Sequence, residues 1–220
     1  MVKKEKTSRR KISAIETRNK IYKTADELFK KHGFESVSLD SIVEAAGVAK
    51  GSFYVHFDSK DSLAAALIND YVSEVDLDYK SYIGLFDANA AAADILISLI
   101  GKIADIITLT IGYDSMKTIY KAQITKTINT EAVMDYNREL YKLFSNIIGK
   151  GIQQGEFETD IPVDVLTKHF IMAIRGITYE WCIRHPDFDL KEQSLKHFEI
   201  LLSGIKKVNC PPDQVFHVRK

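Results

Sequence analysis

The densest chemistry in the chain lies in the run AKGSFYVHFDSK, where Lys50, Gly51, Ser52, Tyr54, His56 and Lys60 fall close together. Two ammonium groups, two hydroxyls and an imidazole at this spacing suit phosphate oxygens, to which all of them can donate. Gly51 carries no side chain, so a helix bearing it can approach a sugar-phosphate backbone closely. Lys50 and Ser52 are the best candidates to reach base edges, and a second phosphate role is equally physical. Catalysis is a poor fit. The sequence holds no phosphate-binding loop, no GxSxG and no HExxH, and its six histidines are scattered.

Those residues need elements to present them. Phe53 and Phe57 stand one helical turn apart and can anchor the segment to a core, leaving the polar residues off the buried stripe. Ahead of it, Ser38 is an N-cap candidate. Leu39, Ile42, Val43 and Ala46 follow at i, i+3, i+4 and i+7, one apolar helical face. Ser41 stands where a capping box usually has Glu or Gln, so the box is expected to be incomplete. Gly47 suits the left-handed conformation that ends a helix. A first helix is expected over Thr17–His32, with Ile21, Ala25, Leu28, Phe29 and His32 inward, Gly33 ending it, and Arg18 and Lys20 near its start within reach of phosphate. Together these make a helix-turn-helix whose second member enters the DNA major groove.

The stretch AAGVAKGSFYVHFDSKDSL, preceded by Ala25, Leu28, Phe29, Gly33, Phe34, Val37 and Ser38, resembles the signature of the tetracycline-repressor (TetR) family of bacterial transcriptional regulators. The resemblance is dense over residues 15–65 and architectural beyond. It implies DNA contacts at Arg18, Ser38, Ala49, Lys50, Gly51, Ser52, Tyr54, His56 and Lys60. Position 49 is Ala where the family often has Ser, which removes one possible phosphate contact. It also implies a homodimer and a cavity for a small-molecule effector among the central helices.

Composition agrees with a soluble globular protein: 220 residues, 45% hydrophobic and 27% charged. Net charge is zero, yet residues 1–60 carry 13 Lys/Arg against 8 Asp/Glu, and residues 61–220 carry 17 against 22. A basic end on an acidic body suits a protein that presents one face to phosphate. Two cysteines, Cys182 and Cys210, form no CxxC, which favours a reducing, cytoplasmic location. No apolar run approaches ~18 residues, so no membrane span or membrane partner is expected. Cys182 and His185 lie at i, i+3, but a third ligand is absent nearby, so no metal site or cofactor is expected.

Helical periodicity dominates throughout, giving an all-α reading. A basic arm and helix-turn-helix domain occupies 1–60, a helical effector-binding and dimerisation domain 61–205, and a loose tail 206–220. The basic arm (Lys3 to Lys11) lies along DNA or frays in solvent. A long fourth helix opens at Lys60, runs to about Tyr79 and joins the two domains without a Pro- or Gly-rich linker. Further helices are expected over 90–110, 114–127, 130–154, 160–185 and 190–205. Tyr113, Met116, Tyr120, Tyr141, Phe144, Arg175 and Trp181 are the effector-site candidates. Arg175, flanked by apolar residues, needs a partner: an internal ion pair or an anionic ligand. The last two helices supply the dimer candidates Ala173, Gly176, Ile177, Phe198, Leu201, Leu202 and Ile205.

The resulting expectation is a DNA-binding repressor, not an enzyme, that releases double-stranded operator DNA when an effector binds. Two rivals stand beside it: a constitutive DNA-binding protein without effector, and a helical small-molecule binder that has lost DNA function.

Overall fold

The computed structural model describes residues 2–207, with side chains from residue 12 onward. Ten α-helices carry these residues: α1 (Val2–His32), α2 (Leu39–Ala46), α3 (Lys50–Tyr54), α4 (Lys60–Ile83), α5 (Ala92–Asp105), α6 (Tyr113–Thr125), α7 (Glu131–Met134), α8 (Glu139–Gln153), α9 (Val163–Arg184) and α10 (Leu190–Ser203). A π-helical segment, Ile106–Ile111, extends α5. No strand forms among the described residues; the one β-type pairing is an isolated bridge between Phe157 and Lys206. No single described helix is long and apolar enough to cross a membrane. By packing, the chain falls into two compact units: one takes the chain up to Asp78 together with Ile106–Arg138, the other Tyr79–Asp105 and the chain from Glu139.

In the first unit, α1, α2, α3 and the start of α4 close on one core. Ile21, Ala25, Ile42, Ala46, Phe53 and Leu63 are fully buried there. The turns follow from local chemistry. Gly33 and Gly47 both take left-handed φ, +76° and +60°, which a side chain would disfavour. The Ser38 hydroxyl accepts from the Ser41 N–H at 3.0 Å and the Ser41 hydroxyl accepts from the Ser38 N–H at 3.1 Å. The capping box expected to be incomplete is therefore closed, because a serine hydroxyl reaches as well as a Glu would. Ser59 and Ser62 repeat the device at the start of α4. Helix α1 begins at Val2, so the stretch read as an arm is helical, and Thr17 lies inside the helix with its hydroxyl donating to Ser13 O at 2.8 Å. His32, expected on the inner stripe, is exposed.

The same unit holds α6. Ala64 of α4, Ala122 of α6 and Ile128 form a small core, and Lys121 reaches Glu35 at 2.9 Å. That ion pair holds the Glu35 carboxyl below the ordinary carboxylate range. Packing thus sets residues 106–138 in one unit with α1, α2, α3 and most of α4. The helix expected over 130–154 is broken. Asp135 accepts from the Asn137 N–H at 2.8 Å, a turn that ends α7. Arg138 then turns inward to Asp76, its Nε 2.9 Å from each carboxylate oxygen and its other arm 2.7 Å from Oδ1. Both side chains are nearly buried, at 13% and 6% exposure, where a charge needs a partner.

In the second unit α5 packs on α8 and α10, and α9 on α8 and α10. Glu156, in the turn after α8, accepts from the free N–H groups of Ala92 and Ala93 at 2.6 and 2.9 Å and so caps α5 from a distance. Asp189 caps α10 by accepting from the Glu192 N–H. Pro162 is the N-cap of α9, so the helix expected from residue 160 begins at Val163. Of the tail expected from residue 206, Lys206 and Lys207 are tied to Phe157 and Glu156, and 208–220, with Cys210, lie outside the described residues.

Candidate nucleic-acid interface

Of the five residues of α3 only Phe53 is buried, and Phe57 continues that stripe past its end. The two rings lie 5.7 Å apart. This anchoring turns the opposite side of α3 outward. Lys50, Gly51 and Tyr54 are exposed, and Ser52 and His56 half-buried. Tyr54 is 53% exposed with its ring edge-on to Phe53, so its hydroxyl is carried outward on an apolar root. Ala49, exposed, is the N-cap of α3 and contributes no side-chain cap.

A Cβ added at Gly51 would meet nothing within 4 Å. Nothing inside the chain therefore demands glycine there. Arg18, exposed on α1, lies over the rings of Tyr22 and Phe57 at 5.6 and 5.3 Å, which holds its guanidinium beside α3. The Ser38 hydroxyl is engaged as an acceptor in the capping box but keeps its own proton to donate.

Two residues depart from simple expectation. Lys60 is half-buried: Nζ donates to Phe34 O at 3.0 Å and Val37 O at 2.9 Å and lies 4.0 Å from the centroid of the Phe34 ring. In this state it fastens the turn between α1 and α2 to α4. Lys50 pairs with Asp40 of α2 at 2.6 Å, which raises the lysine's pKa through the hydrogen bond first and the charge second. Sequence reasoning passed over Asp40 and also Val55, a valine 75% exposed just after α3. The signal for Val55 was available, since it lies off the Phe53/Phe57 stripe.

The effector candidates divide between the units. Tyr113, Met116 and Tyr120 share one face of α6 in the first, with Met116 buried. In the second, the Arg175 guanidinium stands 5.7 Å from the centroid of the Tyr141 ring. Phe144 is fully buried 6.5 Å from Phe170, and Trp181 meets His185 edge-on at 5.3 Å. Phe144 is thus committed to the interior of its unit. Burial of Cys182 pushes its thiol up to about 11.

The dimer candidates differ in exposure. Phe198, Leu202 and Ile205 are buried in their own unit, Phe198 against Phe170 at 5.5 Å. Ala173, Ile177 and Leu201 are half-buried and Gly176 is exposed. The large apolar side chains that α9 and α10 leave outward are Met172, Tyr179, Ile183, Ile200 and Val165. The first three share a face of α9 with Gly176, at helical spacing.

A family model described as bacterial regulatory proteins, tetR family, matches residues 21–67. The HTH-type transcriptional repressor KstR2 of Rhodococcus jostii (strain RHA1) is 22% identical over 191 residues, spanning 86% of this chain and 90% of that protein. Among solved structures, Thermus thermophilus FadR, described as a TetR-family transcriptional repressor in complex with lauroyl-CoA, is similar with a TM-score of 0.67 at 20% identity, covering 88% of this chain and 98% of that one. The transcriptional regulator FadR from Bacillus subtilis in complex with stearoyl-CoA gives 0.64 at 22% identity, covering 84% and 98%. At these identities the structural likeness speaks for the fold.

Proposed function

We propose that this chain, which belongs to the tetR family of bacterial regulatory proteins, is a homodimeric transcriptional repressor that leaves its operator when a small molecule binds the helical body. The observation that carries the DNA-binding half is α3 itself. Its core side is fixed by Phe53, and its outer side offers a cation, a bare backbone and hydroxyls at the spacing a groove requires. In this reading Arg18, Ser38, Lys50, Tyr54 and His56 meet phosphate or base edges, Ala49 and Gly51 allow close approach, and Lys60 shares its charge between the turn it fastens and the DNA. Residues 1–60 form the DNA-binding domain, and 61–205 bind effector and dimerise.

Control follows from α4, which is continuous from Lys60 to Ile83 while the division between compact units falls within it, after Asp78. An effector that favours another position of α4 alters the spacing of two recognition helices, whose half-sites recur about every 34–36 Å on B-DNA. Reversing a 99:1 equilibrium takes about 5.5 kcal/mol of differential affinity. The acyl-CoA thioesters held by two structural relatives make this class the first to test, with the Arg175 guanidinium as a counter-charge for an anion. The experiment is fluorescence anisotropy on an operator selected from random DNA, titrated with lauroyl-CoA and stearoyl-CoA. Release at micromolar thioester, lost in Arg175→Ala with operator affinity intact, supports the reading. Release unchanged in Arg175→Ala makes that charge structural. An operator complex indifferent to every ligand tried turns the reading toward a constitutive DNA-binding protein.

A further inference from the structure

Asp40 is the second residue of α2 and Lys50 the first of α3, and the carboxylate Oδ1 lies 2.6 Å from the ammonium. Both side chains face solvent, 70% and 53% exposed. An exposed ion pair of this kind adds little to stability, so folding does not account for it. The first turn of α2 favours any acid through the helix dipole, but that preference does not select a contact to Lys50. On a surface that meets phosphate, a carboxylate repels the partner unless it finds a donor there.

The N-terminal end of a recognition helix is the end that reaches base edges, and Lys50 stands at that end of α3. A carboxylate accepts from the N4 amino group of cytosine, and an ammonium donates to O6 and N7 of guanine. Placed side by side, the two groups present the complement of a G·C pair as it appears in the major groove. We propose that Asp40 and Lys50 act together as a base-reading pair that specifies one G·C pair in each half-site, Asp40 taking the cytosine amino group and Lys50 the guanine acceptors. The inference rests on the helix-turn-helix reading above and names the sequence preference of that surface.

The test is selection from a randomised DNA library by the full-length protein and its variants, with thermal unfolding as a check that these exposed substitutions leave the fold alone. Wild type should enrich G·C at one fixed position per half-site, by about tenfold over other pairs. Asp40→Asn should move that position toward adenine in place of the cytosine, because an amide pairs with adenine N6 and N7. Asp40→Ala and Lys50→Ala should each erase the preference at the same position and no other. Asp40→Ala should also tighten binding to sites with other pairs at that position, as repulsion falls there without the loss of a base contact. If Asp40→Asn and Asp40→Ala select the same site as wild type, with only a general gain in affinity, the carboxylate is a charge regulator and the pair reads nothing. If wild type binds no DNA, the helix-turn-helix reading fails first, and the pair with it.

Discussion

The Lys60 ammonium and the Phe34 ring face each other at 4.0 Å, while the same ammonium donates to the carbonyls of Phe34 and Val37. A residue read as a phosphate contact is thus also a fastener between the α1–α2 turn and α4. Lys60→Ala should leave two part-buried carbonyls without their donor, at about 1–3 kcal/mol. It should also lower the log–log salt slope of DNA binding by about one if the ammonium meets a phosphate. Urea denaturation and a salt series of operator titrations separate the two effects. Unchanged stability would contradict the fastening role, and an unchanged slope the phosphate contact.

Gly51 offers a cleaner separation of fold from function. With no heavy atom within 4 Å of an added Cβ, Gly51→Ala should stabilise the free protein by about 0.5–1 kcal/mol through helix propensity. The same methyl should intrude between α3 and a DNA backbone, weakening operator affinity by about tenfold or more. Thermal unfolding should therefore rise while anisotropy falls. A variant that binds as tightly as wild type would place the DNA elsewhere.

For assembly, the exposed and buried apolar residues of the last two helices predict opposite failures. Ile183→Glu, on a side chain 61% exposed, should leave the fold intact and shift sedimentation toward monomer. Phe198→Ala removes a fully buried ring and should cost about 3–5 kcal/mol of stability, whatever the oligomeric state. If Ile183→Glu stays dimeric with normal operator binding, the α9 stripe is not the interface.

The Cys182 thiol gives a pH dependence of known sign. Burial raises its pKa from the ordinary 9.0 to about 11, so the folded state favours the neutral thiol. Its contribution is fully present below pH 9 and is lost as pH rises through about 11. Between those values wild type should lose stability faster than Cys182→Ala, as read from urea midpoints. Identical slopes would mean that the thiol is hydrated in the folded protein.

The helix-turn-helix was legible in the sequence because its determinants are local. Gly47 ends α2, Ser38 caps it, and Phe53 and Phe57 fix which side of α3 turns inward, all within a span of twenty residues. The same holds for the all-helical class, which periodicity alone conveys. Tertiary structure decided what depends on distant partners. Lys60 turns toward carbonyls 26 and 23 positions away, and Arg138 breaks a helix to meet Asp76, 62 positions away. Which apolar residues of α9 and α10 face inward was beyond periodicity, since both faces carry large side chains. Contact with α5 and α9 commits Phe198 and Leu202 of α10 to the interior, while Met172, Tyr179 and Ile183 of α9 stay outside. A sequence states which residues are apolar; the neighbouring helix settles which of them lose their water.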